Sequence, residues 1–269
     1  MKDRILQLLD KNVEGCDPCN GMPIIRPDFV PGGVYHVYNR GAGKLNTFIR
    51  NQDYQDFEDI LRYLIVGFPV SLPRLKSTSL IVKENPHIPV SYSADPRSNG
   101  LFGKLLALVA YCLMPNHFHL LIQLKQPESE FKDADGRIRS FQTISEFMRR
   151  LCITYCQKFN FRHDRQGILF QGRYKIKIVP DDPYAVQVNR YVHINPVDAG
   201  LVKSPEDWPW SDYHTYWAER GDPKDLFTDP GLTLSYFGDD KLKYRKFVNH
   251  GIEMDEARKI FPYTIDQES

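Results

Sequence analysis

From Gly33 onward the chain divides into blocks of distinct hydrophobic periodicity. Val34-Tyr35-His36-Val37-Tyr38-Asn39-Arg40 is β-branched and aromatic between Pro31-Gly32-Gly33 and Gly41-Ala42-Gly43, the composition of a strand held between breakers. Asp53 to Val66 sets Phe57, Ile60, Leu61, Leu64 and Ile65 at intervals of three and four, which is one buried face of a helix. Five prolines then fall between 67 and 100 among many Ser and Asn residues, so this stretch is expected to be an insertion or flap rather than a central sheet element. Lys104 to Leu113 and His117 to Leu124 are two apolar runs joined by Met114-Pro115-Asn116, the pattern of a hairpin in mid-sheet. Gln142 to Phe159 returns to helical spacing, with Thr143 or Ser145 placed to cap its start. Ile168 to Val179 alternates as a last strand, Asp181-Asp182-Pro183 opens a third helix, and Asn195-Pro196 is expected to stop it. The order strand, helix, strand, strand, helix, strand, helix predicts an α+β, ferredoxin-like sandwich with a mainly antiparallel central sheet. Residues 1–30 read as an N-terminal extension, 31–215 as the main domain with 67–100 as its insertion, and 216–269 as a C-terminal extension.

Composition narrows the function classes. With 269 residues, 42% of them hydrophobic, the chain can fill a sizeable core. Lys and Arg number 35 against 34 Asp and Glu, so no global charge points to nucleic acid or membrane, and any basic surface must be local. No apolar run approaches the roughly 20 residues of a membrane-spanning helix. Met1-Lys2-Asp3-Arg4-Ile5-Leu6 lacks the order of a secretory signal, so a cytoplasmic protein with reduced thiols is expected. Five cysteines, an odd number, do not suggest a disulfide framework; Cys16 and Cys19 form one CxxC without the second half that a structural zinc site needs. Cys152 and Cys156 read as small buried hydrophobes.

The chemistry-bearing residues lie in the second run of the hairpin and in the third helix. Side chains alternate along a strand, so His117 and His119 share one face while Phe118, Leu120, Ile122 and Leu124 take the other. Two positions at period two lie about 6.6 to 6.8 Å apart, close enough for both rings to meet one divalent ion. Alone, such a pair also fits two hydrogen-bonded or exposed histidines. Tyr184 and Tyr191, seven apart, fall on one face of the third helix with Asn195 a turn beyond Tyr191. A tyrosine hydroxyl is a poor nucleophile unless desolvated or paired with a cation, whereas a nearby divalent ion polarises a phosphodiester, so the set suits transesterification. The same spacing is compatible with an interfacial aromatic and a helix stop.

Ala110-Tyr111-Cys112-Leu113-Met114-Pro115-Asn116-His117-Phe118-His119-Leu120-Leu121 resembles the His-hydrophobe-His motif of the single-tyrosine HUH transposases. Val34 to Gly41 is similar to that family's first strand, Leu169 to Tyr174 to its last strand, and Arg190 to Val202 to its nucleophile helix. Asp207-Trp208-Pro209-Trp210-Ser211-Asp212-Tyr213 resembles the segment that follows in the branch associated with repetitive extragenic palindromes. The resemblance implies a ferredoxin-like core acting on hairpin-forming single-stranded DNA, with Tyr191 as nucleophile, His117 and His119 as catalytic metal ligands, Asn195 as a further ligand, and Mg²⁺ or Mn²⁺ as the ion. It also implies a 5′-phosphotyrosine link and a freed 3′-OH.

Between Phe141 and Ile178 eight cations stand against two acids, interleaved with Phe159, Phe161, Phe170 and Tyr174, as binding an unpaired strand requires. Arg149, Arg150, Arg173 and Lys175 are the expected phosphate contacts there, and Arg40, beside two glycines, joins them. Each also fits a solvated surface. His36 reads as a packed core histidine or as a partner behind a ligand, and His193, about 200° around the helix from Tyr191, faces away from the site. Besides a DNA endonuclease and strand transferase, the sequence admits a non-catalytic hairpin DNA or RNA binding protein on the same fold, or a metallohydrolase using an activated water. Monomer and homodimer are both open.

Overall fold

The computed structural model describes residues 28–67, 100–132, 138–216 and 227–254. Strand β1 (Val34–Arg40) leads through a short 3-10 turn to helix α1 (Asn51–Ile65); β2 (Leu106–Met114) and β3 (His117–Leu124) form the central hairpin. A small hairpin follows, β4 (Glu128–Lys132) with β5 (Ile138–Gln142), then α2 (Thr143–Arg162), β6 (Lys175–Val179) and α3 (Asp182–Asp198). Two further helices, α4 (Gly231–Ser235) and α5 (Lys241–Met254), complete the described chain. The main sheet runs β2-β3-β1-β6, and each neighbouring pair in it is antiparallel. The expected α+β, ferredoxin-like sandwich is the architecture observed.

Alternation divides the sheet between two cores. One face carries Tyr35, Val37, Phe118, Leu120 and Ile122 against the apolar stripes of α1 and α2, with the Phe57 ring centroid 5.0 Å from those of both Phe118 and Tyr155. The other carries Ala110, Cys112, Met114 and Leu121 against Ala185, Val188 and Val192 of α3. Each such large side chain, fully buried, contributes about 1.5–3 kcal/mol. The outer edge of β2 is covered by the chain that follows α3: Leu113 N–H donates to Trp210 O (2.8 Å), Trp208 Nε1 to Leu113 O (3.1 Å) and Asp229 N–H to Leu108 O (2.7 Å). An edge otherwise open to foreign strands is thereby closed.

Several elements depart from expectation for local reasons. The last strand begins at Lys175, because Gly167 and Gly172 adopt left-handed backbone (φ 91° and 104°) and keep 168–174 irregular apart from a single bridge between Gly41 and Phe170. Helix α3 passes through Asn195-Pro196 and closes three residues later, with Gly200 at φ 68° and Leu201 N–H donating to Pro196 O (2.9 Å). Thr143 does not cap α2; its hydroxyl donates to Gln126 O (2.6 Å) and ties the helix to the end of β3. Most of 67–100, the CxxC pair Cys16 and Cys19, and most of 1–30 lie outside the described residues. Within 216–269, residues 227–254 pack on α3 and β2 through Phe227, Leu234, Tyr244 and Val248. No helix among the described residues is long and apolar enough to cross a membrane.

The start of α1 is locked to the end of α2 by charge. The fully buried Asp53 carboxylate accepts from Ile49 N–H and Arg50 N–H at 2.9 Å, from Arg162 Nη1 at 2.9 Å and from His163 Nε2 at 3.0 Å. Asp56 is bound by Arg162 Nη2 and, at 3.2 Å, by Lys158 Nζ. Burial raises the Asp53 pKa, but the hydrogen bonds from the Arg50 and Ile49 amides, Arg162 and His163 outweigh it and hold the carboxyl below its ordinary 3.8. Removing one partner of such a buried set costs about 3–5 kcal/mol, so Asp53→Asn should lower the stability measured by denaturant unfolding at pH 7 by about that much. Because the folded value is the lower one, the carboxylate's contribution is complete above the unfolded value of 3.8 and is lost as pH falls through the folded value. The gap between wild type and Asp53→Asn should therefore close in strong acid; a gap independent of pH would contradict this account.

Candidate active site

The two-residue turn Pro115-Asn116 delivers β3 to the site, and the loop after β1 braces it. Gly41 N–H donates to Asn116 O (2.8 Å), while the Thr47 and Phe48 amides donate to Pro115 O (2.8 and 2.9 Å). Gly41 is required by this close approach, since a Cβ there would stand 2.0 Å from Leu45 O. From the turn, β3 pairs with β1 so that Arg40 lies opposite His117 and Tyr38 opposite His119. His36, Tyr38, Arg40, His117 and His119 consequently share one face. Lys175 and Lys177 of β6 extend it, opposite Tyr38 and His36.

Helix α3 crosses this face. Asp181 caps it by accepting from Tyr184 N–H (2.9 Å), with proline in the first turn. The far side of the helix is anchored by a buried polar network: His193 contacts Asp212 Oδ1 (3.1 Å) and Tyr244 Oη (2.8 Å), and Asn189 Nδ2 donates to Tyr216 Oη (2.9 Å). His193 thus faces away from the imidazoles, as expected. The near side presents Tyr191, whose ring centroid is 5.5 Å from that of His119, and Asn195, whose Nδ2 is 3.4 Å from His119 Nε2. His117 and His119 stand 4.9 Å apart, edge to face. All four side chains are at least 96% buried. Two elements, β3 and α3, therefore bring His117, His119, Tyr191 and Asn195 together.

His36, which the sequence allows as a packed histidine or as a partner behind a ligand, joins this group. Its Nε2 is 2.9 Å from His119 Nδ1, and its ring lies 6.2 Å from that of Tyr191. Lys177, counted in the sequence only as one of the eight cations between Phe141 and Ile178, is set 5.8 Å over the Tyr38 ring beside this group. Burial, then repulsion between its protonated form and positive charge at His117, His36 or Lys177, holds the His119 pKa well below 6.5. Burial, Lys177 and His117 likewise lower His36 to about 3. Both rings are neutral at physiological pH and retain a nitrogen lone pair.

The donor chemistry fits a divalent ion. Asn116 Oδ1 lies 2.6 Å from His117 Nδ1 and can only accept, so Nδ1 carries a proton, and in the neutral ring the lone pair is then on Nε2. Among the described residues no group of three or more His, Cys, Asp or Glu could hold a metal; at this point the residues that would meet an ion are two imidazoles and, with its amide turned, the Asn195 oxygen. Such a set would leave coordination positions for further oxygen ligands such as phosphate.

The cationic residues divide between two surfaces. Arg149 and Arg173 line a cavity of about 640 Å³ on the outer side of α2, with Tyr174, Ile168, Cys152 and Met148 among its walls. Arg149 is paired there with Glu146 (2.6 Å). Arg150 lies apart from the cavity, bound to Glu146 (2.8 Å) and set over the Phe102 ring (5.8 Å). Lys175 is exposed, and the β-sheet register puts it and Arg40 on the imidazole face.

No family model matches the chain. A Haemophilus influenzae protein whose name places it among the REP-associated tyrosine transposases is 32% identical over 128 residues, which is 47% of this chain and 69% of that one. A solved structure described as a REP-associated tyrosine transposase bound to a REP hairpin aligns over 78% of this chain and 93% of that one, at 17% identity and a TM-score of 0.44.

The brace at the turn is testable without DNA. In Gly41→Ala the added methyl must displace Leu45 or Gly41 itself and loosen the bond to Asn116, at a cost of about 1–3 kcal/mol in unfolding free energy. The amide of Asn116 should at the same time lose protection in hydrogen exchange. Wild-type stability in this variant would mean that the loop is not held against the turn.

Proposed function

The chain belongs to the REP-associated tyrosine transposase family, and from that membership we propose that it cleaves and rejoins hairpin-containing single-stranded DNA through Tyr191. The observation that carries this reading is the meeting of one tyrosine, two imidazoles and one amide at a single buried point, with His119 in contact range of both Tyr191 and Asn195. In this reading His117, His119 and Asn195 hold one divalent ion. Bound there, Mg²⁺ or Mn²⁺ supplies polarisation of the attacked phosphate and stabilisation of the leaving oxygen.

The chain's own side chains account for the rest. Tyr191 Oη attacks phosphorus; the new bond is the 5′-phosphotyrosine link, the bond broken is that to the 3′ oxygen, and the proton given up by the phenol is balanced by the one this oxygen takes up as it leaves as a 3′-OH. The reverse attack by a 3′-OH rejoins the strand and frees the tyrosine, so no water is consumed and the ester bond energy is conserved. Burial of Tyr191 excludes competing water, and the network behind α3 keeps its ring against His119. Arg40 and Lys175 contact phosphates on the imidazole face; Arg149 and Arg173 do so at the cavity beside α2, where Tyr174 is a stacking surface. Arg150 takes a lesser part, held as it is by Glu146 and Phe102. The catalytic unit is 31–215, with 227–254 as a buttress behind α3, and it acts on DNA in the cytoplasm.

Wild-type protein incubated with labelled single-stranded hairpin oligonucleotides and Mg²⁺ or Mn²⁺ should give a shifted protein–DNA band on denaturing electrophoresis. Tyr191→Phe should lower that band at least about 10³-fold, the scale of losing a nucleophile, while filter binding of the hairpin stays near wild type. His119→Ala should also lose the band. An adduct that persists in Tyr191→Phe would overturn the nucleophile assignment, and strand cleavage that persists there without an adduct would point instead to attack by water.

A further inference from the structure

Behind His119 stands a third imidazole with which it shares a proton. His36 lies on β1 two residues before the partner of His119, and it reaches diagonally across the strand pair to put its Nε2 2.9 Å from His119 Nδ1. The two rings are tilted by only 18°, and His36 is 4% exposed. One proton occupies a hydrogen bond between neutral imidazoles, and its position decides what the far side of His119 can do. On His36 Nε2, the proton leaves His119 accepting at Nδ1, so the one ring hydrogen of His119 sits on its own Nε2, which then has no lone pair to offer. On His119 Nδ1, it leaves Nε2 as an acceptor. The amide Nδ2 of Asn195 faces that Nε2 at 3.4 Å, as a donor facing a lone pair. His117 is arranged in the same sense, with Asn116 Oδ1 accepting at its Nδ1.

We propose that His36 is a positioning residue, which accepts the Nδ1 proton of His119 and so holds that ring in the tautomer and orientation that present Nε2 to the ion. The ligand role of His119 is taken from the function proposed above. The usual acceptor behind a metal-bound imidazole is a carboxylate or a backbone carbonyl. Here the position is 4% exposed, and a neutral imidazole supplies the acceptor without burying a charge. A histidine that merely filled space would leave the tautomer of His119 indifferent to its replacement by another ring.

Two variants separate these roles. His36→Phe keeps an aromatic ring without an acceptor, whereas His36→Gln keeps an amide oxygen near the place of Nε2. Long-range ¹H–¹⁵N correlation spectra of the metal-free protein should show the His119 proton on Nδ1 in wild type and in His36→Gln, and on Nε2 in part or whole in His36→Phe. Mn²⁺ titration followed by electron paramagnetic resonance should give a Kd raised about 10- to 100-fold in His36→Phe and within about threefold of wild type in His36→Gln, the range seen for groups that orient a ligand. A wild-type spectrum with the proton on Nε2 of His119 overturns the proposal without any variant. So does a His36→Phe protein with unchanged tautomer and Mn²⁺ affinity. Wild-type protein that binds no Mn²⁺ would overturn the ligand assignment instead, and the metal-free spectra would still decide the role of His36.

Discussion

The antiparallel pairing of β1 with β3 is the constraint on which the site depends. Register sets Tyr38 opposite His119 and Arg40 opposite His117, and the two-residue period of both strands then leaves no freedom over which side chains share a face. Phe118, Leu120 and Ile122 are required by the core under α1 and α2, so the imidazoles must point to the other side. A slip of one residue would bury His117 and His119 against Phe57 and expose the apolar set, a change no local adjustment could absorb. The braces on the Pro115-Asn116 turn, from Gly41, Thr47 and Phe48, belong to the same constraint, because they fix where β3 begins.

The second requirement is a helix held still across a polar face. Burying imidazoles, a phenol and an amide is unfavourable without polar neighbours, and α3 carries such groups on both of its sides. Toward the sheet it brings Tyr191 and Asn195 to His119. Away from it, His193, Asn189, Asp212, Tyr216 and Tyr244 form a network that reaches the backbone of β2, through Tyr111 N–H to Asp212 Oδ1 at 2.8 Å. Burial raises the pKa of Tyr216 and Tyr244 well above 10, so both hydroxyls stay protonated and able to donate. Residues 227–254 are thereby part of what positions the tyrosine.

What was legible in the sequence was local in the chain. The alternation of His117 with His119 and the four-residue step from Tyr191 to Asn195 follow from strand and helix geometry alone, and the breakers around β1 and the central hairpin are equally local. The short β4–β5 hairpin gave no usable signal, since Glu128–Lys132 is mostly polar. Gly167 and Gly172 take left-handed backbone that shortens the last strand, whereas alternation alone extended it back to Ile168. The importance of His36 is a diagonal contact between two strands 83 residues apart in sequence. Likewise the partners of His193 lie 19 and 51 residues away, so spacing could place that ring on the far side of α3 but not name what it binds.

The central claim is that one side chain, Tyr191, becomes covalently joined to DNA. The direct measurement is peptide mapping by mass spectrometry of protein digested with nuclease and trypsin after incubation with a cleavable hairpin and Mn²⁺. The account predicts a nucleotide phosphate on the tryptic peptide that begins at Tyr191 and ends at Lys203. A nucleotide on another tyrosine, such as Tyr38 or Tyr184, or cleaved DNA with every tyrosine peptide unmodified, would contradict it.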